Sequence, residues 1–358
     1  MSMKHIAFAI PGDIDTPTGG YIYDRKMIEG LRALGWQVDL VGLGDGFPYP
    51  DAQTLTFAQQ TLGAIRNDCP VLIDGLALGV MPEIAGQLAE THQVVALVHH
   101  PLALESGLSP EQAQLFKRSE TVALSHASNV IVTSPATARN LMAEFDIKES
   151  RIRIVLPGTE RSASELTYKK QNRPDDGSLH LLSVGSIVPR KGFDVLLQAL
   201  GLLKDLSWQL TIAGDQTRDA HAPLQLEKDL DRYGLRDRVH LLGAVSSETL
   251  ESLYLDADVF VLASRYEGYG MAFAEALAHG LPVVATTGGA IPETVPLTAG
   301  ILVEPGDANK FAQALRQMVT DENLRGSLSV GAIQAAKTQP DWKQSAEYFS
   351  QALESILR

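Results

Sequence analysis

Cysteine is almost missing from this chain. Cys69 stands alone in 358 residues, so no intramolecular disulfide can form, and the composition suits a reducing, cytoplasmic setting. No apolar run approaches the roughly 20 residues that would cross a bilayer. The opening Met1-Ser2-Met3-Lys4-His5 and the short apolar Ile6–Ile10 carry no small-residue cleavage site, so they are read as the approach to a first strand and not as a signal peptide. Positive charge is scarce as well: 30 Lys and Arg face 43 Asp and Glu, a net charge of -13. Residues 1–165 alone hold 12 basic against 19 acidic side chains, so neither half hides a basic module. Non-specific attraction to nucleic acid or to an anionic membrane face is thereby excluded, and any anionic ligand must be held by a few local cations. The nine histidines and one cysteine offer no zinc-ligand spacing, and no internal repeat is visible. Two familiar nucleotide signatures are also absent. No Gly-x-Gly-x-x-Gly follows the first strand, which runs instead into Pro11–Gly20, and there is no Gly-Lys-Ser/Thr.

What is present is apolar material in quantity. Hydrophobic residues make up 45% of the chain and charged ones 20%, which excludes disorder, and the length exceeds what one core usually organises. About a dozen short Val/Ile/Leu runs alternate with helix-like segments. In the first half they are 5–10, 37–42, 70–73, 93–98, 129–133 and 151–156; in the second they are 180–184, 209–213, 238–242, 258–262, 282–285 and 300–303. Each run is continuous and not alternating, as strands covered on both faces require. Helical candidates between them include 20–34, 192–203, 246–255 and 272–279. The expectation is an α/β protein of two doubly wound, Rossmann-like domains. The first spans residues 1–165 and the second 166–340, with polar Glu165–Ser178 as linker and a last helix over 341–358 that returns to the first domain.

The most informative stretch is Ser264–Val295. After a strand, Glu267-Gly268-Tyr269-Gly270 forms a turn whose glycines let backbone approach a ligand, and the helix behind it aims free N–H groups at the same spot. Glu267 precedes that helix and Glu275 lies within it, a spacing suited to gripping hydroxyls at two ends of an elongated ligand. A second cluster, Gly185–Phe193, follows the first strand of the second domain and carries Arg190 and Lys191, which can neutralise a diphosphate.

Glu267 and Glu275, with seven residues between them, resemble the E-x7-E motif of the retaining glycosyltransferases of the GT-B fold, most closely glycosyltransferase family 4. The agreement continues through Gly280–Val284 and Gly288–Glu293. Many members have Arg where this chain has Ser186. The resemblance implies two Rossmann-like domains facing across a cleft, with the sugar nucleotide on the second. It implies Arg190 and Lys191 on the pyrophosphate, Glu267 on the sugar and Glu275 on the ribose. The backbone of Gly268, Tyr269, Gly270, Met271 and Ala272 approaches sugar and phosphate, and Val245 lies where the base is read through the main chain. In the first domain, Thr18-Gly19-Gly20 resembles the glycine loop facing donor phosphate and acceptor, though it also reads as an ordinary helix entry. His99-His100-Pro101 occupies the place of a sugar-contacting histidine; His99 is the closer match and His100 the alternative. The pairs Asp13-x-Asp15 and Asp256-x-Asp258 mimic a metal-binding Asp-x-Asp but stand in the wrong architecture.

The expected function is therefore transfer of a sugar from a UDP- or GDP-sugar to an acceptor sugar, glycolipid or small molecule, with retention and without a cofactor or divalent metal. Glu267, His99, Arg190 and Lys191 are the candidate catalytic groups. Weak contact with a membrane surface stays open through the apolar loop Leu102–Leu108. The neighbouring reading is a sugar phosphorylase, or a nucleotide-sugar hydrolase or epimerase, on the same fold. A non-catalytic sugar-nucleotide-binding partner subunit is a third, disfavoured by the intact Arg190, Lys191, Glu267 and Glu275.

Overall fold

Runs of Val, Ile and Leu without alternation are stable as strands only where helices shield both faces of a sheet. The central runs such as 94–98 and 259–261 lie there, while the edge runs 37–42 and 239–243 keep exposed residues. The computed structural model describes residues 4–160 and 177–357. Its first sheet is built from β1 (His5–Ile10), β2 (Gln37–Gly42), β3 (Val71–Asp74), β4 (Val94–Val98), β5 (Asn129–Val132) and β6 (Ile152–Ile154). The second holds β7 (Leu179–Val184), β8 (Trp208–Ala213), β9 (Val239–Gly243), β10 (Val259–Val261), β11 (Val283–Thr286) and β12 (Gly300–Val303). All pairings are parallel, in the orders β2-β1-β3-β4-β5-β6 and β9-β8-β7-β10-β11-β12. Strand succession reverses between β1 and β3 in the first sheet and between β7 and β10 in the second. Open parallel sheets take their ligands at such points, outside the carboxyl ends of the strands.

Several strand limits differ by a residue or two from the sequence reading, and two of these differences have local reasons. β3 starts after Pro70, which has no N–H to give to the ladder, and ends on Asp74. β10 starts after Asp258, whose carboxylate accepts from the His180 N–H at 2.9 Å. No helix among the described residues is long and apolar enough to cross a membrane.

The chain forms two compact units: Met1–Gly158 with Pro340–Arg358, and Thr159–Gln339. The first unit thus ends at Gly158 and not at residue 165. A Cβ at Gly158 would fall 2.4 Å from the backbone of Trp342, so outgoing and returning segments touch here. The expected linker lies outside the described residues except for Gly177 and Ser178.

The helix Trp342–Ile356 is capped by Asp341 and Gln344 in a reciprocal capping box. It buries Ala346, Phe349, Ala352, Leu353 and Ile356, at the three- and four-residue steps of one helical face, with Ile6, Phe8, Met27 and Leu31. It meets the helix Gly19–Ala33 so closely that a Cβ on Gly30 would lie 2.2 Å from that of Ala346. Ser345 donates to the Leu156 carbonyl at 2.7 Å, and the Trp36 indole N–H donates to Ser350 at 2.9 Å.

Phe349 is fully buried whereas its neighbour Tyr348 is 52% exposed. Phe349→Ala is expected to remove about 3–5 kcal/mol of stability, and Tyr348→Ala only about 0.5 kcal/mol. Urea denaturation of the two variants makes the comparison; equal losses would contradict the packing of this helix on the first unit.

Candidate active site

At the carboxyl ends of β7 and β10, two loops are locked together by backbone contacts. The β7 loop ends in a single turn, Pro189–Lys191, and Gly192, whose φ of +66° suits glycine, opens the helix Phe193–Gly201. A side chain there would put its Cβ 2.0 Å from the Ala263 carbonyl oxygen, so only glycine lets the β10 loop pass. The Arg265 N–H donates to the Arg190 carbonyl at 2.7 Å, and its guanidinium donates to the Pro189 carbonyl and forks onto Asp194 at 2.9 and 2.6 Å. From the other side, Glu267 pairs with Gly289 and accepts from the Ala290 N–H at 2.9 Å. A Cβ on Gly289 would sit 2.3 Å from the Glu267 carbonyl oxygen. Glu267 is therefore fixed along its backbone before its side chain makes any contact.

That side chain is 5% exposed and has three donors: Lys191 Nζ at 2.7 Å, Arg190 Nη1 at 3.0 Å and Ser264 Oγ at 2.6 Å. Burial pushes its carboxyl upward, but the Lys191 and Arg190 charges outweigh burial and hold it at about 2. Two cations thus converge on one carboxylate. The cluster lies one loop away from the helix Met271–Ala278, whose first turn no side chain caps. Met271 and Ala272 begin that helix and are part-buried, as is Gly268. Tyr269 is buried, its hydroxyl pushed up to about 12, and its carbonyl accepts from Thr294 at 2.6 Å. Gly270 has φ +91°, and a Cβ there would meet the Phe273 ring at 2.7 Å.

Glu275 belongs to a second network. Its carboxylate accepts from the Tyr254 hydroxyl at 2.8 Å; Tyr254 stacks on His279 at 4.8 Å between centroids, and His279 Nε2 lies 2.8 Å from Glu251. Burial raises the Glu275 carboxyl, partly offset by the Tyr254 hydrogen bond. Val245 lies part-buried in the loop between β9 and the helix Ser247–Asp256.

The first unit gathers a different set at its own reversal point. His99 follows β4, and its Nε2 lies 3.1 Å from Asp24 Oδ1 and 3.5 Å from Asp74 Oδ2. Asp74 ends β3, and Asp24 comes from the buried face of the helix Gly19–Ala33. Gly20 lies against the imidazole, where a Cβ would be 3.4 Å from Cδ2, while Gly19 is exposed. His100 pairs with Glu105 at 3.1 Å instead. Burial depresses the His99 imidazole, but Asp24 and Asp74 reverse this and carry it to about 10. Asp24 is lifted to about 7 by burial, against the pull of His99, and Asp74 is held low by His99 despite its burial. Asp24 and Asp74 were not singled out from the sequence. Their only signals there are an acid ending an apolar run and an acid flanked by Tyr23 and Met27 on a buried helical face. Asp13, by contrast, turns its carboxylate to the Asp15 N–H at 2.9 Å.

Known proteins resemble this chain in sequence and in fold. Residues 164–335 match the family described as glycosyl transferases, group 1. The D-inositol 3-phosphate glycosyltransferase of Xylanimonas cellulosilytica is 31% identical over 284 residues, covering 73% of this chain and 67% of that protein. Alignments to other curated relatives span 57–72% of those proteins' own lengths. Among solved structures, the sucrose-phosphate synthase of Thermosynechococcus elongatus superposes with a TM-score of 0.83 at 23% identity, covering 98% of this chain and 99% of that one. An Anabaena protein in complex with UDP-glucose gives a TM-score of 0.74 at 19% identity, covering 98% of this chain and 100% of that one. At these identities the solved structures establish the fold, which is GT-B.

Because the folded-state pKa of Glu267 lies below the ordinary 4.5, its ionisation stabilises the protein above that value, and the contribution fades as pH falls towards about 2. Glu267→Gln leaves two part-buried cations without their carboxylate and is expected to cost about 3–5 kcal/mol at neutral pH. The deficit should shrink on acidification through that window. Urea unfolding of wild type and variant at successive pH values tests this; a gap that does not change with pH contradicts the ion pairing.

Proposed function

The chain belongs to the glycosyl transferases of group 1, and from that premise we propose that it moves a sugar from a nucleotide-diphosphate sugar to an acceptor hydroxyl, with retention at the anomeric carbon. The observation that carries the reading is the Arg190–Lys191–Glu267 cluster at the β7–β10 reversal point, two cations and one ionised carboxylate fixed by backbone. A diphosphate is a dianion or more, and Arg190 and Lys191 are the kind of side chains that give it charge-assisted hydrogen bonds. The first turn of the helix Met271–Ala278 adds uncapped N–H groups and the positive end of a helix dipole. Glu275, held by Tyr254, is assigned to the ribose diol, and Val245 to the base through its main chain. In the first unit, Gly19, Gly20 and His99 are assigned to sugar and acceptor, with His100 directed to Glu105.

In this reading the anomeric carbon–oxygen bond breaks first, and the electron pair leaves with the diphosphate, whose growing charge meets Arg190, Lys191 and the helix end. The acceptor oxygen then bonds to the same face of the sugar, and its proton passes to the departing phosphate oxygen. Glu267, ionised beside the bond, stabilises positive charge developing on the sugar. The Anabaena neighbour's UDP-glucose makes UDP-sugars the first donors to test, followed by GDP- and ADP-sugars in a thermal-shift panel. An acceptor in glycan, glycolipid or polysaccharide synthesis fits the family.

Arg190→Ala or Lys191→Ala should each weaken binding of the bare nucleoside diphosphate about tenfold or more. Glu275→Gln should weaken bare nucleotide and full donor alike. Glu267→Gln should leave bare nucleotide binding intact or tighter, since it releases both cations from a competing carboxylate, while lowering turnover. Calorimetry beside steady-state rates decides; a reversal of the two glutamates' effects would falsify the donor placement.

A second expectation concerns metal. With two side-chain cations and a helix end already at the leaving group, transfer should persist in excess chelator. Loss of activity that manganese or magnesium restores would count against this mechanism.

A further inference from the structure

The acid cluster around His99 is more than a single orienting carboxylate needs. One carboxylate on one imidazole nitrogen fixes the tautomer and leaves the other nitrogen a base, as in the hydrolase triads. Here two buried carboxylates converge on the same nitrogen. Asp24 is fully buried and Asp74 3% exposed, while the His99 side chain is 25% exposed. The Oδ2 atom of Asp24 is buried without a hydrogen-bond partner, a cost that packing alone does not require, since an apolar residue beside Tyr23 and Met27 would avoid it. Tyr23 contributes only a neutral ring, edge-on to His99 at 5.4 Å, with its hydroxyl given to the Val155 carbonyl at 3.0 Å. His100 is occupied by Glu105, and the His99 backbone is pinned by Thr133 Oγ1 donating to its carbonyl at 3.1 Å. The groups facing the imidazole are thus Asp74, held ionised, and Asp24, which adds its negative charge as pH rises through about 7. Among the described residues no hydrogen bond reaches its Nδ1.

We propose that Asp24, together with Asp74, is a positioning residue that keeps His99 doubly protonated, so that Nδ1 meets an oxygen of the bound sugar or phosphate as a cationic hydrogen-bond donor and not as a base. The proposal rests on the assignment of His99 to the ligand, but the protonation state can be read without any ligand. It gives the first unit a fixed positive donor in an otherwise acidic pocket, which suits retaining transfer, where the departing phosphate can take the acceptor's proton.

The test uses the whole chain with isotope-labelled histidine. In wild type, the His99 ring resonances should show no deprotonation from pH 5.5 to about 9. Asp24→Asn, nearly isosteric, should lower the His99 midpoint by about 1–3 units, and Asp24→Asn with Asp74→Asn should bring it close to the ordinary 6.5 or so. A His99 that titrates near 6.5 in wild type, or whose midpoint does not move in Asp24→Asn, overturns the proposal. Zinc that co-purifies in one equivalent, and whose removal shifts the His99 resonances, overturns it as well, since the three groups would then be metal ligands. The second arm measures kcat/KM against pH with whichever of the UDP-, GDP- and ADP-sugars binds best. The Asp24→Asn profile should gain an alkaline limb, falling tenfold per unit above the new His99 midpoint. An increase with pH through that midpoint would show a base and overturn the donor role. Spectra that behave as expected in a protein that turns over no donor would instead count against the functional reading.

Discussion

Three charged side chains can share a site that excludes most water only if their geometry cannot drift, because removing each from solvent costs several kcal/mol that the pairing must return. In the second unit that constraint governs the loops around Glu267. Gly192 yields to the Ala263 carbonyl, Arg265 ties its own loop to Pro189, Arg190 and Asp194, and Gly289 admits the Glu267 backbone from the far side. Removing any of these would loosen the carboxylate on which Arg190 and Lys191 converge. The parallel sheet matters chiefly because its reversal brings the ends of β7 and β10 side by side.

The two units apply one sheet plan to opposite electrostatics. At the second reversal point two cations, Arg190 and Lys191, converge on the Glu267 carboxylate. At the first, two acidic side chains, Asp24 and Asp74, converge on the His99 imidazole. In an acidic chain the cations are thus concentrated at a few part-buried positions and not spread over the surface.

The strand pattern was legible because fully covered strands must be continuously apolar, and the runs that end at Ile10, Val98 and Val132 are of that kind. Arg190, Lys191 and Glu267 were legible because each follows a strand in a glycine-bearing loop. What escaped the sequence depends on partners far away along it. Asp24 and His99 stand 75 residues apart, and the apolar neighbours of Asp24 on its helical face say that it is buried without saying what it meets. Tyr254 reads as a core aromatic until its hydroxyl is seen on Glu275, and Ser264 as a loop residue until it caps Glu267. The domain edge at Gly158 depends on contact with Trp342, which no composition shift near residue 165 announces.

That last contact also bears on how the protein is made. Domains usually fold in the order in which they leave the ribosome. Here the first unit is interrupted: its core includes Phe349, Leu353 and Ile356, while the second unit ends at Gln339. The whole second unit is therefore translated before the helix that closes the first. During that interval the faces of Ile6, Met27 and Leu31 that the helix will cover have no partner to cover them, so the core of the amino-terminal unit is completed last although its first strand is made first.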